Sequence, residues 1–318
     1  GMFFAPWDID TIKKVKPGTH ISDAITDEAL EFVRANREEP FLLNLWYYDV
    51  HAPFQAKPEL MDKYEQLIDP DYTQRSPTMG AMIEVMDINI GRLIRELERL
   101  GIRDNTIIIF TSDNGGNMYN QVDGTTPTNN APLKSGKGNN YEGGVRVPAV
   151  MVWPAKVKEA RKISEPCITS DYMPTILDAL DIPHPQASYA TDGRSLMPII
   201  NNDDFTRDKE IGIMFSSRIV WHKGDFKLLS YDGGKKYKLY NLVSDPSEKS
   251  DVAAQNPELV EKLKKDMLAW HESVKSSYEG SEYGTKSLDR LGKSWSSPLT
   301  AKAKKTKSKK SKSKKEKK

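Results

Sequence analysis

The chain has 318 residues, 37% of them apolar, which suffices for one large domain or one domain with a smaller companion. Its net charge of +2 hides an asymmetry: residues 301–318 hold eleven lysines and one glutamate, a local +10, which leaves the other 300 residues at −8. The single cysteine, Cys167, excludes an internal disulfide, and no run reaches the ~20 apolar residues of a membrane-spanning helix.

Residues 1–21 lack periodicity and read as if they lie within a longer protein. Gly1 reads as a purification-tag remnant, and no signal peptide is visible. Ser22 to Arg34 is expected to be a helix capped by Ser22, with Ala24, Ile25, Ala29, Leu30 and Val33 on one apolar stripe. Phe41 to Tyr48 is a nearly continuous apolar run, the pattern of a buried parallel strand, and Asp49 to Phe54 follows as a loop. Residues 77–100 have helical spacing, with Gly101 at the C-terminal cap. Thr106 to Thr111 and Pro148 to Trp153 read as further buried strands. They predict an α/β fold with a mostly parallel sheet flanked by helices.

Ser170 to Leu180 is expected to be a helix capped by Ser170. Beyond residue 205 the runs Ile211–Ser216, Arg218–His222, Phe226–Tyr231 and Tyr237–Tyr240, separated by turns, predict a small antiparallel sheet, followed by a helix from Pro257 to Val274. The division expected is residues 1–205, then 206–280, then a disordered Lys/Ser-rich tail at 281–318. That tail reads as a solubilising end or as an arm for polyanions. No aromatic residue follows Trp295, so specific nucleic-acid binding is not expected.

Ligands of open α/β sheets gather outside the carboxyl ends of the strands. Asp113-Asn114-Gly115 follows the second strand and offers two hard oxygens suited to Ca²⁺ or Mg²⁺, although Asp-Asn-Gly is also a common turn. His51 follows the first strand, where it can bind an anion or transfer a proton; a lone loop histidine is as readily a solvated residue. Lys134 and Lys137, in Pro132-Leu-Lys-Ser-Gly-Lys-Gly138, can neutralise an oxyanion. The spacing does not meet the Walker pattern, and by itself the stretch also reads as a mobile surface loop.

Order and surroundings sharpen these readings. Thr106-Ile-Ile-Ile-Phe-Thr-Ser-Asp-Asn-Gly115, then Leu133-Lys-Ser-Gly-Lys-Gly-Asn-Asn-Tyr-Glu-Gly-Gly-Val-Arg-Val-Pro148, strongly resembles a signature region of arylsulfatase-type sulfatases in the alkaline-phosphatase-like superfamily. Further stretches extend the resemblance over roughly residues 20–275, among them Ser170–Leu177, Asp192–Leu196 and Lys238–Lys249. It implies an alkaline-phosphatase-like fold and hydrolysis of sulfate monoesters, including those of sulfated carbohydrates. Asp113 and Asn114 would ligate a divalent metal, normally Ca²⁺ and less often Mg²⁺. Lys137 would contact the sulfate oxygens and steady charge on the leaving oxygen. His51 would contact the sulfate group, and Lys134 would bind substrate beside it. Glu142, Gly143, Gly144 and Arg146 would hold the loop. Such cations suit a transition state that sheds charge onto oxygen. The family's setting would be periplasmic, secreted or lysosomal.

The same resemblance implies a nucleophile, a formylglycine made from Cys or Ser in a Cys/Ser-x-Pro/Ala-x-Arg run. Cys167-Ile-Thr-Ser-Asp does not fit, and Ser244-Asp-Pro-Ser-Glu248 lacks the final Arg. Cys167 is instead expected to be a buried small hydrophobe. The nucleophile and further acidic metal ligands are expected in a preceding segment. The alternative is a non-catalytic protein of this fold that holds an anion or a sulfated glycan. A phosphodiesterase-like relative is disfavoured, because its two metals need His and Asp clusters and the five histidines here are scattered.

Overall fold

The computed structural model describes residues 3–12, 15–184, 191–201 and 205–280. The expected tail at 281–318 lies outside them. Helix α1, Ile21–Asn36, begins one residue before its expected start. Its N-cap is His20, whose ring accepts the Ser22 N–H over 3.3 Å. Ser22 therefore lies inside the first turn, which frees its hydroxyl to donate to the Asp49 carboxylate. Helix α2, Pro58–Glu65, packs on α3, Pro77–Arg99, where the Tyr64 ring lies against Gly80. Ser76 caps α3 by accepting from Met79 N. Gly101 ends it in the left-handed conformation, φ 72°, with Ile102 N reaching back to Leu97 O.

Strands β1, Ile108–Thr111, and β2, Ala149–Val152, pair antiparallel, with Thr111 opposite Ala149. The expected strand at Phe41–Tyr48 is a correction. The segment is extended, yet among the described residues its backbone up to Leu45 enters no ladder and Leu42, Trp46 and Tyr48 stay exposed, Trp46 at 82%. The expected mostly parallel sheet is thus not formed by the described ladders, all of which are antiparallel. An apolar run supplies the side chains of a buried strand, but the ladder needs partners that the described residues do not offer it.

Between these elements lie α4, Glu142–Val145, and, after β2, α5, Tyr172–Ala179, and α6, Met197–Ile200. A short 3₁₀ turn at Thr169–Asp171 leads into α5, and it is the Asp171 carboxylate, not Ser170, that accepts the Ile168 N–H. Cys167 precedes that turn in an irregular stretch outside any helix or strand and is exposed, which corrects its expected burial.

Strands β3, Ile211–Phe215, β4, Arg218–Lys223, β5, Phe226–Ser230, and β6, Lys238–Asn241, form an antiparallel meander in chain order, as the turn signals predict. Helix α7, Pro257–Glu279, runs a turn past its expected end and stops at Gly280, φ 79°. Alternation gives this sheet two buried faces. Ile219, Trp221, Leu228 and Leu239 pack on Leu263 and Met267 of α7. Val220, Leu229 and Tyr240 face the other way and meet Tyr141, just ahead of α4.

Candidate active site

The site grows from the turn after β1. Gly115 N donates to Gly144 O at 2.9 Å, and a Cβ on Gly115 would lie 1.8 Å from Gly143 O, so only glycine permits this approach. Gly116 O accepts the backbone N–H of Lys137, also at 2.9 Å. Asn130 clamps the same place. Its amide donates to Gly116 O at 3.0 Å and Ser135 O at 3.1 Å, and its oxygen accepts from Gly116 N at 3.2 Å. The Asp113 turn and the Lys137 loop are therefore one interlocked backbone unit, although 20 residues separate Lys137 from Gly116 in sequence.

The loop then doubles back. Gly143 N donates to Lys134 O at 2.9 Å, and a Cβ on Gly143 would meet Ser135 O at 2.2 Å. These contacts hold main chain and leave side chains free. Among the described residues, the Asp113 carboxylate, the Asn114 amide and the Lys137 ammonium make no protein hydrogen bond or ion pair. Asp113 is exposed and Asn114 and Lys137 are partly so, which leaves these polar groups open to solvent or a ligand.

Lys134 is placed differently. Its ammonium donates to Glu248 O at 3.0 Å and lies over the rings of Tyr141 and Tyr240, 4.1 and 5.6 Å from their centroids. His51 is exposed on its own loop. Its Nδ1 lies 2.6 Å from Ala52 O; a carbonyl only accepts, so Nδ1 carries the hydrogen and Nε2 is the free nitrogen of the neutral ring. That loop is seated on α1 by Tyr47–Thr26 at 2.9 Å, by Asp49–Ser22, and by Lys57–Asp23 at 2.6 Å. Among the described residues no hydrogen bond or ion pair joins His51 to the Asp113–Lys137 unit.

Sequence reasoning missed the residues that hold the site. Asn130 gave only the signal of an Asn-rich loop. Lys227 gave a fainter one, a lysine inside the apolar run of β5. Arg218 donates to Gly138 O and lies 5.1 Å from the Tyr231 ring centre, while the Tyr231 hydroxyl donates to Asn139 Oδ1 at 3.2 Å. Burial pushes that phenol up to about 12, which keeps it a donor.

Asp113 and Asn114 fit a hard cation in kind, one carboxylate and one amide oxygen, both uncommitted. They fall short in number, since Ca²⁺ takes roughly six to eight oxygens. Among the described residues no group of three or more His, Cys, Asp or Glu side chains is assembled as a complete metal site.

Comparison with known proteins identifies the family. The family model described as Sulfatase matches residues 4–182, and one described as N-sulphoglucosamine sulphohydrolase, C-terminal, matches residues 136–273. The chain is 28% identical over 300 residues to a sulfatase of Formosa agariphila, covering 83% of the chain and 52% of that protein. It is 30% identical over 265 residues to an N-acetylgalactosamine-6-O-sulfatase of Bacteroides thetaiotaomicron, covering 76% of the chain and 49% of that protein. The crystal structure of Ps i-CgsB in complex with k-i-k-neocarrahexaose superposes with a TM-score of 0.71 at 29% identity, over 86% of this chain and 62% of that one. The chain thus spans about half the length of the curated relatives it matches. The likeness places it in the alkaline-phosphatase-like α/β fold, and with the family match over residues 4–182 the conclusion is plain: the chain belongs to the sulfatase family.

Proposed function

We propose that this chain carries the metal-turn and oxyanion-loop part of a sulfatase active site whose substrate is a sulfate monoester of a carbohydrate. The observation that carries the reading is the Gly116–Lys137 backbone bond. It ties the backbone of Lys137 to the turn that carries Asp113 and Asn114, and the side-chain polar groups of all three are uncommitted among the described residues. The named activity of the Bacteroides thetaiotaomicron relative and the oligosaccharide in the Ps i-CgsB complex support a carbohydrate as the bearer of the sulfate.

In this reading Lys137 binds the sulfate oxygens and offsets negative charge as the ester bond to the leaving oxygen lengthens. Its loop is locked before substrate arrives, so little reorganisation is needed at that moment. His51 Nε2, free on the neutral ring, accepts or relays a proton at the sulfate group. Asp113 and Asn114 would hold Ca²⁺, with Mg²⁺ as the alternative occupant. Such a metal would supply positive charge for the sulfate group. Lys134 would add positive potential from the loop's far side.

The 318 residues contain no Cys/Ser-x-Pro/Ala-x-Arg run, so no formylglycine can be made within them. A second reading is binding of sulfate or a sulfated glycan without turnover. The two are separated by assaying the chain with an aryl sulfate and a sulfated galactosamine while following thermal stability against inorganic sulfate. Sulfate-dependent stabilisation that disappears in Lys137→Ala is expected from both readings. Turnover by the chain alone would overturn the second, and no response to sulfate in the unaltered chain would overturn both.

A further inference from the structure

Two carboxylates and one ammonium are buried together where the C-terminal sheet meets the sulfate loop. Lys227, on β5, is 1% exposed; its Nζ lies 2.8 Å from Glu142 Oε1 and 2.9 Å from Glu248 Oε1. The first contact is a hydrogen bond, while the second is an ion pair off the hydrogen-bonding direction. The other Glu248 oxygen accepts the backbone N–H of Glu142 at 2.6 Å. Glu142 opens α4, so Lys227 and Glu248 together pin the first residue of the helix that closes the Lys137 loop. The opening of that loop is pinned to the same place, since Lys134 Nζ donates to Glu248 O.

Such a cluster is costly to bury and is poor evidence for stability as such, because apolar residues of similar size would serve as well. What it supplies is direction: each bond fixes a backbone point on either side of Lys137. Burial pushes the Glu248 carboxyl up, and the Lys227 charge opposes this and keeps it in play as an ion-pair partner.

We propose that Lys227 is a positioning residue for the sulfate site. Through Glu142 and Glu248 it makes the C-terminal sheet set the place of the Lys137 loop, and Lys134 is part of the same brace. The role in sulfate binding rests on the function proposed above; the brace itself does not.

The full chain tests it with two readouts, amide hydrogen exchange across residues 134–146 without sulfate, and the affinity for inorganic sulfate. Lys227→Met is expected to speed exchange in that segment at least ten-fold, with α3 unchanged, and to weaken sulfate binding about ten-fold. Lys227→Arg, which can rebuild both pairs, is expected to restore most of each. Lys227→Met leaves two buried carboxylates uncompensated and so risks the fold. Glu142→Gln leaves a balanced Lys227–Glu248 pair and keeps it, with faster exchange over residues 141–146 as the expected result. Wild-type exchange in Glu142→Gln, or acceleration spread equally over α3, overturns the brace. If exchange responds as expected but the unaltered chain binds no sulfate, the brace stands and the sulfate reading falls.

Discussion

The backbone N–H of Lys137 donates to the carbonyl of Gly116 over 2.9 Å, so the lysine loop and the Asp113 turn cannot move independently. Cation and anion binding should therefore respond together when the packing between them is disturbed.

Gly115→Ala tests this directly. Its Cβ would sit 1.8 Å from a backbone oxygen, Gly143 O, which has no side-chain freedom with which to yield. Overpacking of this kind costs about 1–3 kcal/mol. Loss of stabilisation by Ca²⁺ and by sulfate in one variant, each followed by thermal melting, is expected. Retention of either at wild-type strength would show that the two segments are not coupled.

Asp113 has no protein partner among the described residues and is exposed. Asp113→Ala should leave metal-free stability within about 0.5 kcal/mol of the unaltered chain. Stabilisation by added Ca²⁺ should vanish with it. Calcium titrations of both proteins by calorimetry check this, and equal affinity would remove Asp113 from the ligand set.

The Glu96 carboxyl is held down to about 2 from its ordinary 4.5 by hydrogen bonds from Arg99 and then Arg34, at 2.6 and 2.7 Å. A depressed folded-state pKa stabilises above the unfolded value and is lost as pH falls through the folded one. The α1–α3 contact should thus weaken between pH 4.5 and about 2, and less so in high salt, because both guanidiniums reach solvent. Denaturation midpoints of the wild type and Glu96→Gln should converge as pH falls through that window. A constant gap down to pH 2 would contradict the assignment.

Asp171 is fully buried and accepts from Ile168 N and Arg194 N at 2.8 Å each and from both terminal nitrogens of Arg207 at 2.8 and 3.1 Å. Removing one partner of a buried pair costs about 3–5 kcal/mol, since the other charge stays behind. Asp171→Ala should destabilise by that amount in urea unfolding, and Asp171→Ala with Arg207→Met by clearly less. Additive losses in the double variant would show that the pair does not act as a unit.

Helices and turns were legible wherever the controlling forces are local. The α3 stripe, its stop at Gly101 and the meander of β3 to β6 follow from spacing and turn residues a few positions apart. Caps were legible less well. Ser22 and Ser170 are both plausible capping residues, yet His20 caps α1 while Ser22 donates to Asp49, 27 residues away, and α5 begins after Asp171 with no side-chain cap. The Phe41–Tyr48 run was misleading for a related reason: apolarity marks a side-chain environment, while a strand also requires a neighbour to bond.

The sequence by itself determined the family and which residues are candidates for the site. Asp113, Asn114 and Lys137 stand in an order that carries the family, and a motif of contiguous residues survives in one dimension. Only the tertiary structure decided how they are held. The Gly115–Gly144 and Gly116–Lys137 bonds, the Asn130 clamp and the Lys227–Glu142–Glu248 cluster join residues up to 106 positions apart. Such contacts arise where separate loops, and a strand of the C-terminal sheet, are packed against one another, which no local pattern encodes. They also decided the place of Lys134, whose charge is directed to Glu248 O, while Lys137, three residues on, is left uncommitted.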